Sequence, residues 1–513
     1  MINIRSVNTN ELLRSPAVLT ALVSLLFSVI VVINDDSINS DGIRYIEAAR
    51  IFLEQGLQAS YQHYSWMPYQ LLIAVTSKVT FLDLERSAYL INALFLAGLG
   101  YAFVRCSEAL GGNRRVAFSA AIIFLTHLTV SGYRDLIVRD FGYWCFFFTA
   151  FLMLLRYQHT HQQKYAILLG LSLIIATLFR VEGIVFSLLA PLILFKGELP
   201  FRLKLHHSLL AWAPILLLAV LSGSAILLMG DSESIRSGIT RFEEYAARLI
   251  TIPDNIVAKG DLLKQHVLSI YARNMGTESM LAILLMMLVV KLLSAVSLVP
   301  LLFTIRSLVA QKIRKNITYL TALYWFGLVN LVVLVSFLLL ELFLSSRYAV
   351  TFGLLLCLPA AFALAALFSP AEHSVNKKPI RGLQSLRAIV VIVFVYLCLD
   401  GITSFSAGKV YRREAASWIV DNIPNNAKIL SNDESMYYYT KRFVPWEDVK
   451  SNYTKTRFSQ VPQQDLIRYD VVVLHISRKQ KNFENTVISW LGLEPVYQTE
   501  NSRGDKVVIF NLK

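Results

Sequence analysis

PAVLTALVSLLFSVIVVINDDSINSDGIRYIEAARIFLEQG, residues 16–56, runs through three kinds of chain in succession. Residues 16–33 are an unbroken apolar run. As a helix rising about 1.5 Å per residue, it nearly matches a hydrocarbon layer of about 30 Å. A polar knot follows at once, with Asp35, Asp36 and Asp41 set among turn-forming Asn, Ser and Gly. The pattern then becomes helical, with Tyr45, Ala49, Phe52, Leu53 and Gly56 on one side and Arg44, Glu47, Arg50 and Glu54 elsewhere. Acids crowded just outside a membrane, ahead of a helix able to lie on its surface, serve packing poorly. The stretch 34–56 is therefore the candidate catalytic loop.

Composition agrees with a membrane setting. The chain has 513 residues, 55% hydrophobic and 16% charged, where a soluble protein carries about a quarter charged residues. Mean hydropathy is +0.52. The net charge of +14 would suggest nucleic acid in a soluble chain. Here Lys and Arg gather in short loops between apolar runs, as the positive-inside rule requires, and no nucleic-acid partner is expected. Cys106, Cys145, Cys357 and Cys398 are too scattered for a disulfide framework. His159, His161, His206 and His207 sit in basic loops without metal-ligand spacing and read as solvated. Residues 1–15 are long and polar, so 16–33 is expected to be retained as a first span.

Apolar segments of spanning length occur at 16–33, 87–104, 116–133, 141–157, 165–179, 183–196, 208–229, 280–304, 318–340, 348–367 and 388–404, about eleven in all. Arg5, Arg14, Arg105, Arg114, Arg115, Arg156, Lys164, Lys196, Arg202, Lys204, Arg306, Lys312, Arg314, Lys315, Lys377, Lys378, Arg381 and Arg387 share one face if the N-terminus is cytoplasmic. Loop 34–86, loop 230–279 and the tail 405–513 then lie on the outer face. Segment 67–82, led by Pro68 and carrying Lys78, is short, and counting it as a span would invert every later loop. It reads as a re-entrant or interfacial helix. The run 165–196 is cut by Arg180-Val-Glu182-Gly183, expected to be a tight turn, because charge inside hydrocarbon is costly. Loop 230–279 carries Arg236, Arg241, Glu243, Glu244, Arg248, Lys259 and Lys264 and reads as an interfacial lid.

The tail changes character. Residues 411–423 form an amphipathic helix, 428–430 begin a strand, and 470–475 (DVVVLH) read as a strand buried on both faces. A helix near 480–491 and a hairpin around Arg503-Gly504 complete a small α/β domain. It holds no phosphate loop, dinucleotide fingerprint or triad, so a supporting or recognition role is expected. The domains are thus 1–404, transmembrane, and 405–513, extracytoplasmic.

Four motifs in order carry a resemblance: S-D-G-x-x-Y-x-x-A-A-R at 40–50, Met67-Pro68-Tyr69, R-x-E-G at 180–183, and Ser346-Arg347-Tyr348 opening a late span. In this the chain resembles the polytopic GT-C glycosyltransferases, nearest to bacterial members of the protein O-mannosyltransferase and aminoarabinose-transferase group, over about residues 10–405. The resemblance implies a GT-C-like helical membrane domain that moves a sugar from a polyprenyl-phosphate carrier to an acceptor on the outer face of the inner (plasma) membrane. It also implies an Asp in the first external loop as general base, and Asp41 fits that position best. The family's usual Asp-Glu pair is broken here by Gly42, which leaves Asp35 and Asp36 as substitutes.

Such a transfer needs a carboxylate to accept the acceptor hydroxyl's proton and cations to stabilise the departing phosphate. Arg347, Arg180, Arg139, Arg134 and Lys78 are the phosphate-binding candidates, Arg347 first; the four arginines break the charge rule of the outer face, and Lys78 lies in the interfacial helix. Asp35, Asp36, Asp135, Asp140 and Glu182 are candidates for binding acceptor or a divalent cation, Mg²⁺ or Mn²⁺, with no cofactor certain. Plainer roles stay open beside these: Asp41 as a helix N-cap, Arg180 and Glu182 as a structural pair, the cations as headgroup anchors. The expected partners are the lipid-linked sugar donor, a glycan, lipid or protein acceptor, and membrane lipids. A transporter or flippase is the alternative, weakened by the absence of evident internal repeats. A third reading is a non-catalytic assembly subunit, in which no carboxylate in 34–56 is essential.

Overall fold

The computed structural model describes residues 15–34, 37–196, 198–229, 247–248, 250–369, 381–403, 408–424, 426–440, 453–455, 468–480 and 483–512. Asp35, Asp36, Arg236, Arg241, Glu243, Glu244, Arg5, Arg14, Lys377 and Lys378 lie outside the described residues. Among the described residues, seven helices are long and apolar enough to cross a membrane: Pro16–Ile33, Leu84–Ala109, Phe201–Leu221, Ile270–Val296, Leu320–Glu341, Ser346–Leu367 and Gln384–Thr403. These make the chain a multi-pass membrane protein. Gln163–Phe179, Gly183–Phe195 and Leu298–Val309 are shorter apolar helices.

Where the expected runs fall short of full spans, a local break is responsible. Run 116–133 is cut after the helix Arg114–Leu125, and one turn, Leu128–Ser131, follows with His127 as its cap. The extended backbone of Arg180 (φ −146°, ψ 130°) ends the helix Gln163–Phe179. Ser297, at φ 66°, separates Gly276–Val296 from Leu298–Val309. Segment 67–82 forms the 13-residue helix Pro68–Thr80, about 20 Å long and too short to span. Pro68 occupies its first turn, where the missing N–H costs no helical bond.

The chain divides into two compact units. One comprises Met1–Phe27, Asn92–Tyr133 and Arg139–Gly401; the other comprises Ser28–Ile91, Arg134–Val138 and Ile402–Lys513. The unit that contains the tail therefore also takes in the first loop and a short piece of the second.

In the first unit, Ser346–Leu367 is central, with 78% of its apolar window buried, whereas Gln384–Thr403 is peripheral, at 6%. Phe147 meets Phe186 edge-on at 4.8 Å and Phe326 at 5.6 Å, which ties three helices together. Helices approach closely at Gly353, where a Cβ would stand 2.2 Å from the Ala295 carbonyl oxygen. Because backbone is the obstacle, Gly353→Ala must push the helix Val350–Leu367 away from residue 295. A stability loss of about 1–3 kcal/mol is expected, read as a lowered thermal midpoint in detergent. An unchanged midpoint would show that the two helices separate freely.

The second unit carries a five-stranded sheet: β1 (Ile429–Ser431), β2 (Tyr453–Lys455), β3 (Val471–Ile476), β4 (Tyr497–Glu500) and β5 (Lys506–Asn511). Its order is β2-β1-β3-β5-β4, parallel for β2, β1 and β3 and antiparallel for the β4–β5 hairpin and its junction with β3. Successive residues of β3 and β5 point to opposite faces, and both faces are covered. Val471, Val473, Val507 and Ile509 pack with Tyr411, Ala415 and Ile419 of the helix Val410–Asn422. Val472, Leu474, Val508 and Phe510 pack with Val487 of the helix Phe483–Leu491. That double burial explains why DVVVLH lacks polar alternation. The domain also holds the first loop: the Ile38 N–H donates to the Tyr439 hydroxyl at 2.7 Å, and the Tyr438 hydroxyl donates to Glu85 at 3.0 Å.

Candidate functional site

Asp41 stands on the helix Ser40–Gln55, whose N-cap is Asn39. The carboxylate therefore occupies the second helical position and does not start the helix, although its charge suits the positive N-terminal end. Asn39 is engaged elsewhere. Its side chain accepts from the Ile137 N–H at 2.8 Å and donates to the Ile137 carbonyl at 3.1 Å, which staples the helix start to residues 134–138. Gly42 completes the junction, since a Cβ there would lie 2.9 Å from the Ile137 Cβ and from the Asn39 side-chain oxygen. A larger residue at position 42 does not fit against Ile137. Asp41 itself is half-buried.

Three other candidates share this unit. Arg134 is buried, and its guanidinium donates to the Ser28 hydroxyl at 2.9 Å. Asp135 lies 3.9 Å from the Lys409 ammonium, and burial pushes its carboxyl pKa up against the opposing pull of that lysine. Lys78 is exposed on the last turn of Pro68–Thr80, where a cation complements the helix dipole.

The first unit gathers the remaining candidates around the turn Ser346–Ala349. Arg180 and Asp140 are both buried. The Arg180 guanidinium donates to Asp140 through one nitrogen and to Glu182 through the other two, one of them at 3.2 Å. Its carbon sits 3.9 Å from the centre of the Tyr348 ring. Burial alone would lower the Arg180 pKa, but Glu182 and Asp140 outweigh it and hold the pKa well above the ordinary value. Burial likewise pushes Glu182 up, while the charge and hydrogen bonds of Arg180 pull it below the usual carboxylate range. Arg180 is thus committed to two carboxylates and an aromatic face, and Asp140 and Glu182 to one guanidinium.

Arg347 is half-buried, one residue before Tyr348, with its guanidinium carbon 5.4 Å from that ring. Tyr133 hydrogen-bonds to Ser345 and Ser346 and feels the Arg347 charge, while burial pushes its phenol pKa up. Arg139 is half-buried at the N-cap of the helix Asp140–Thr160 and adds positive charge near Glu182.

Reading the sequence missed one cation in this group. The Lys291 ammonium lies 3.4 Å from the Ser346 hydroxyl. Its signal was available: Lys291 is the sole charged residue in the run 280–304. Of the lid residues that are described, Lys259 and Lys264 are exposed on the helix Ile252–His266, and Arg248 pairs with Glu341 at 2.9 Å. Among the described residues, no group of three His, Cys, Asp or Glu side chains is placed to hold a metal ion.

No family model matches the sequence, and no curated protein matches it. Among solved structures the chain is similar to the archaeal oligosaccharyltransferase AglB from Archaeoglobus fulgidus in complex with an inhibitory peptide and a dolichol-phosphate. The TM-score is 0.49 at 10% identity, over 96% of this chain and 74% of that one. A crystal structure of the Archaeoglobus fulgidus oligosaccharyltransferase with Zn and sulfate gives 0.49 at 11% identity, over 95% and 72%. Its apo form gives 0.49 at 10% identity, over 96% and 74%.

Proposed function

We propose that the protein is a membrane glycosyltransferase that moves a sugar from a polyprenyl-phosphate carrier to an acceptor hydroxyl on the outer face of the inner membrane, with its N-terminus cytoplasmic. The reading rests on the ordered motifs that resemble the GT-C glycosyltransferases. The single structural observation that carries it is the placement of Asp41, half-buried in the first turn of the helix that follows the first span. A carboxylate in that setting is a natural general base. Asp41 takes the hydroxyl proton as the acceptor oxygen bonds to the anomeric carbon. The bond from that carbon to the phosphate oxygen breaks, and polyprenyl phosphate leaves with the electron pair.

Charge grows on the phosphate as it leaves, and fixed cations are worth most there. Arg347 is the leading phosphate ligand, with Lys291 beside Ser346 and Arg139 as further positive charge. Arg180 serves as a positioning residue, holding Tyr348 and the turn that presents Arg347. No step is assigned to a metal ion.

The test uses purified protein in nanodiscs with a panel of polyprenyl-phosphate sugars, followed by release of polyprenyl phosphate. Discharge of one donor is expected, with Arg347→Ala slowing it about 10²-fold or more. Discharge of none, from protein shown to be folded, would overturn the reading.

A further inference from the structure

A cavity of about 670 Å³ opens in the second unit beside the first-loop helix Ser40–Gln55. Asp41 is not among its lining residues. The volume falls within the range of small-molecule sites, about 300–1,000 Å³. Three carboxylates line it, Glu47, Asp83 and Glu85, against three guanidinium groups, Arg50, Arg86 and Arg413. These formal charges cancel. Asp83 and Arg86 pair at 3.3 Å, and Glu85 accepts from Tyr438 at 3.0 Å. A phosphate-binding site would instead carry an excess of cations. Balanced donors and acceptors suit a neutral ligand rich in hydroxyls, because each hydroxyl both donates and accepts.

The remaining walls narrow the ligand further. Val32 and Ile33 end the first span and Leu84 begins the second, so the apolar part of the lining belongs to two helices of spanning length. Tyr89 and Tyr438 add aromatic surface of the kind that packs against the C–H face of a sugar ring. Ile46 and Glu47, also in the lining, follow Asp41 on the same helix by about 7–9 Å of rise. That separation is of the order of one to two hexose rings.

We infer that this cavity binds the saccharide part of a neutral, lipid-anchored glycan, with the lipid leaving along the apolar lining at residues 32, 33 and 84. Resting on the proposed role of Asp41, the bound glycan is the acceptor, held so that a hydroxyl one or two rings away reaches that carboxylate. The tail domain is then part of the acceptor site, because Arg413 and Tyr438 form one of its walls.

The experiment is native mass spectrometry on the full chain, with octyl β-D-glucoside, octyl phosphate and octanol as probes. Octyl β-D-glucoside is expected to bind at least tenfold more tightly than the other two. Ser77→Phe, which fills the cavity, is expected to weaken that binding at least tenfold. Arg86→Ala, at a largely exposed residue whose removal spares the fold, is expected to weaken it severalfold. Asp41→Asn is expected to bind the glucoside like the wild type. Loss of transfer in Asp41→Asn with glucoside binding intact therefore reports on the base and not on this cavity. Equal binding of octyl phosphate, or undiminished glucoside binding in both cavity variants, would overturn the assignment.

Discussion

Asp41→Asn is expected to slow sugar transfer by about 10²- to 10⁴-fold, the usual contribution of a positioned general base, while the protein stays folded. The fold should survive because Asn39 ties the helix start to Ile137 and the substitution keeps the shape of the Asp41 side chain. Loss of the Asp41 charge near the helix N-terminus is expected to cost about 0.3–1 kcal/mol. The measurement is a single-turnover rate of donor discharge beside a thermal melt. Near-normal turnover, with Asp35 and Asp36 intact, would move the base elsewhere. A fall in melting temperature that matches the loss of activity would make Asp41 a structural residue only.

Arg180→Leu is expected to have the largest effect on folding. The substitution leaves Asp140 and Glu182 buried without their counter-charge, and breaking such a cluster from one side costs about 3–5 kcal/mol. The variant should yield little folded protein. Adding Asp140→Asn and Glu182→Gln should recover most of it, because no uncompensated charge then remains. Size-exclusion yield and thermal melting of the two variants check this. A single variant as stable as the wild type would release Arg180 from its clamp role and return it to the list of direct phosphate ligands. Acid should loosen the same clamp. Glu182 has its pKa held below the ordinary value near 4.3. Its stabilising contribution is therefore full above that value and lost as the pH falls through the lowered one. Glu182→Gln should remove this part of the acid dependence.

Gly42 and Lys291 show where the sequence was readable and where it was not. Gly42 stood out as a break in a familiar acidic pair, but what excludes a larger residue there is Ile137, 95 positions on, whose Cβ leaves no room for a side chain. Lys291 was visible as a charge in an apolar run, yet nothing local connects it to Ser346, 55 positions away. The split at Ser297 was equally hidden, since a serine in an apolar run carries no strong stop signal. Its φ of 66° appears only in the folded chain.

Taken alone, the sequence determined what depends on composition and short-range period: the apolar helices, the short helix led by Pro68, the basic connections and the α/β character of the tail. These follow from a few consecutive residues, because hydrophobic burial and backbone hydrogen bonding act on every turn or strand in the same way. Only the tertiary structure decided how the charges are spent. Arg180 meets Asp140 across 40 residues, Asn39 meets Ile137 across 98, and Glu85 meets Tyr438 across 353. Partners so far apart are chosen by how helices pack. Once they are buried, the cost of an unpaired polar group makes that choice binding.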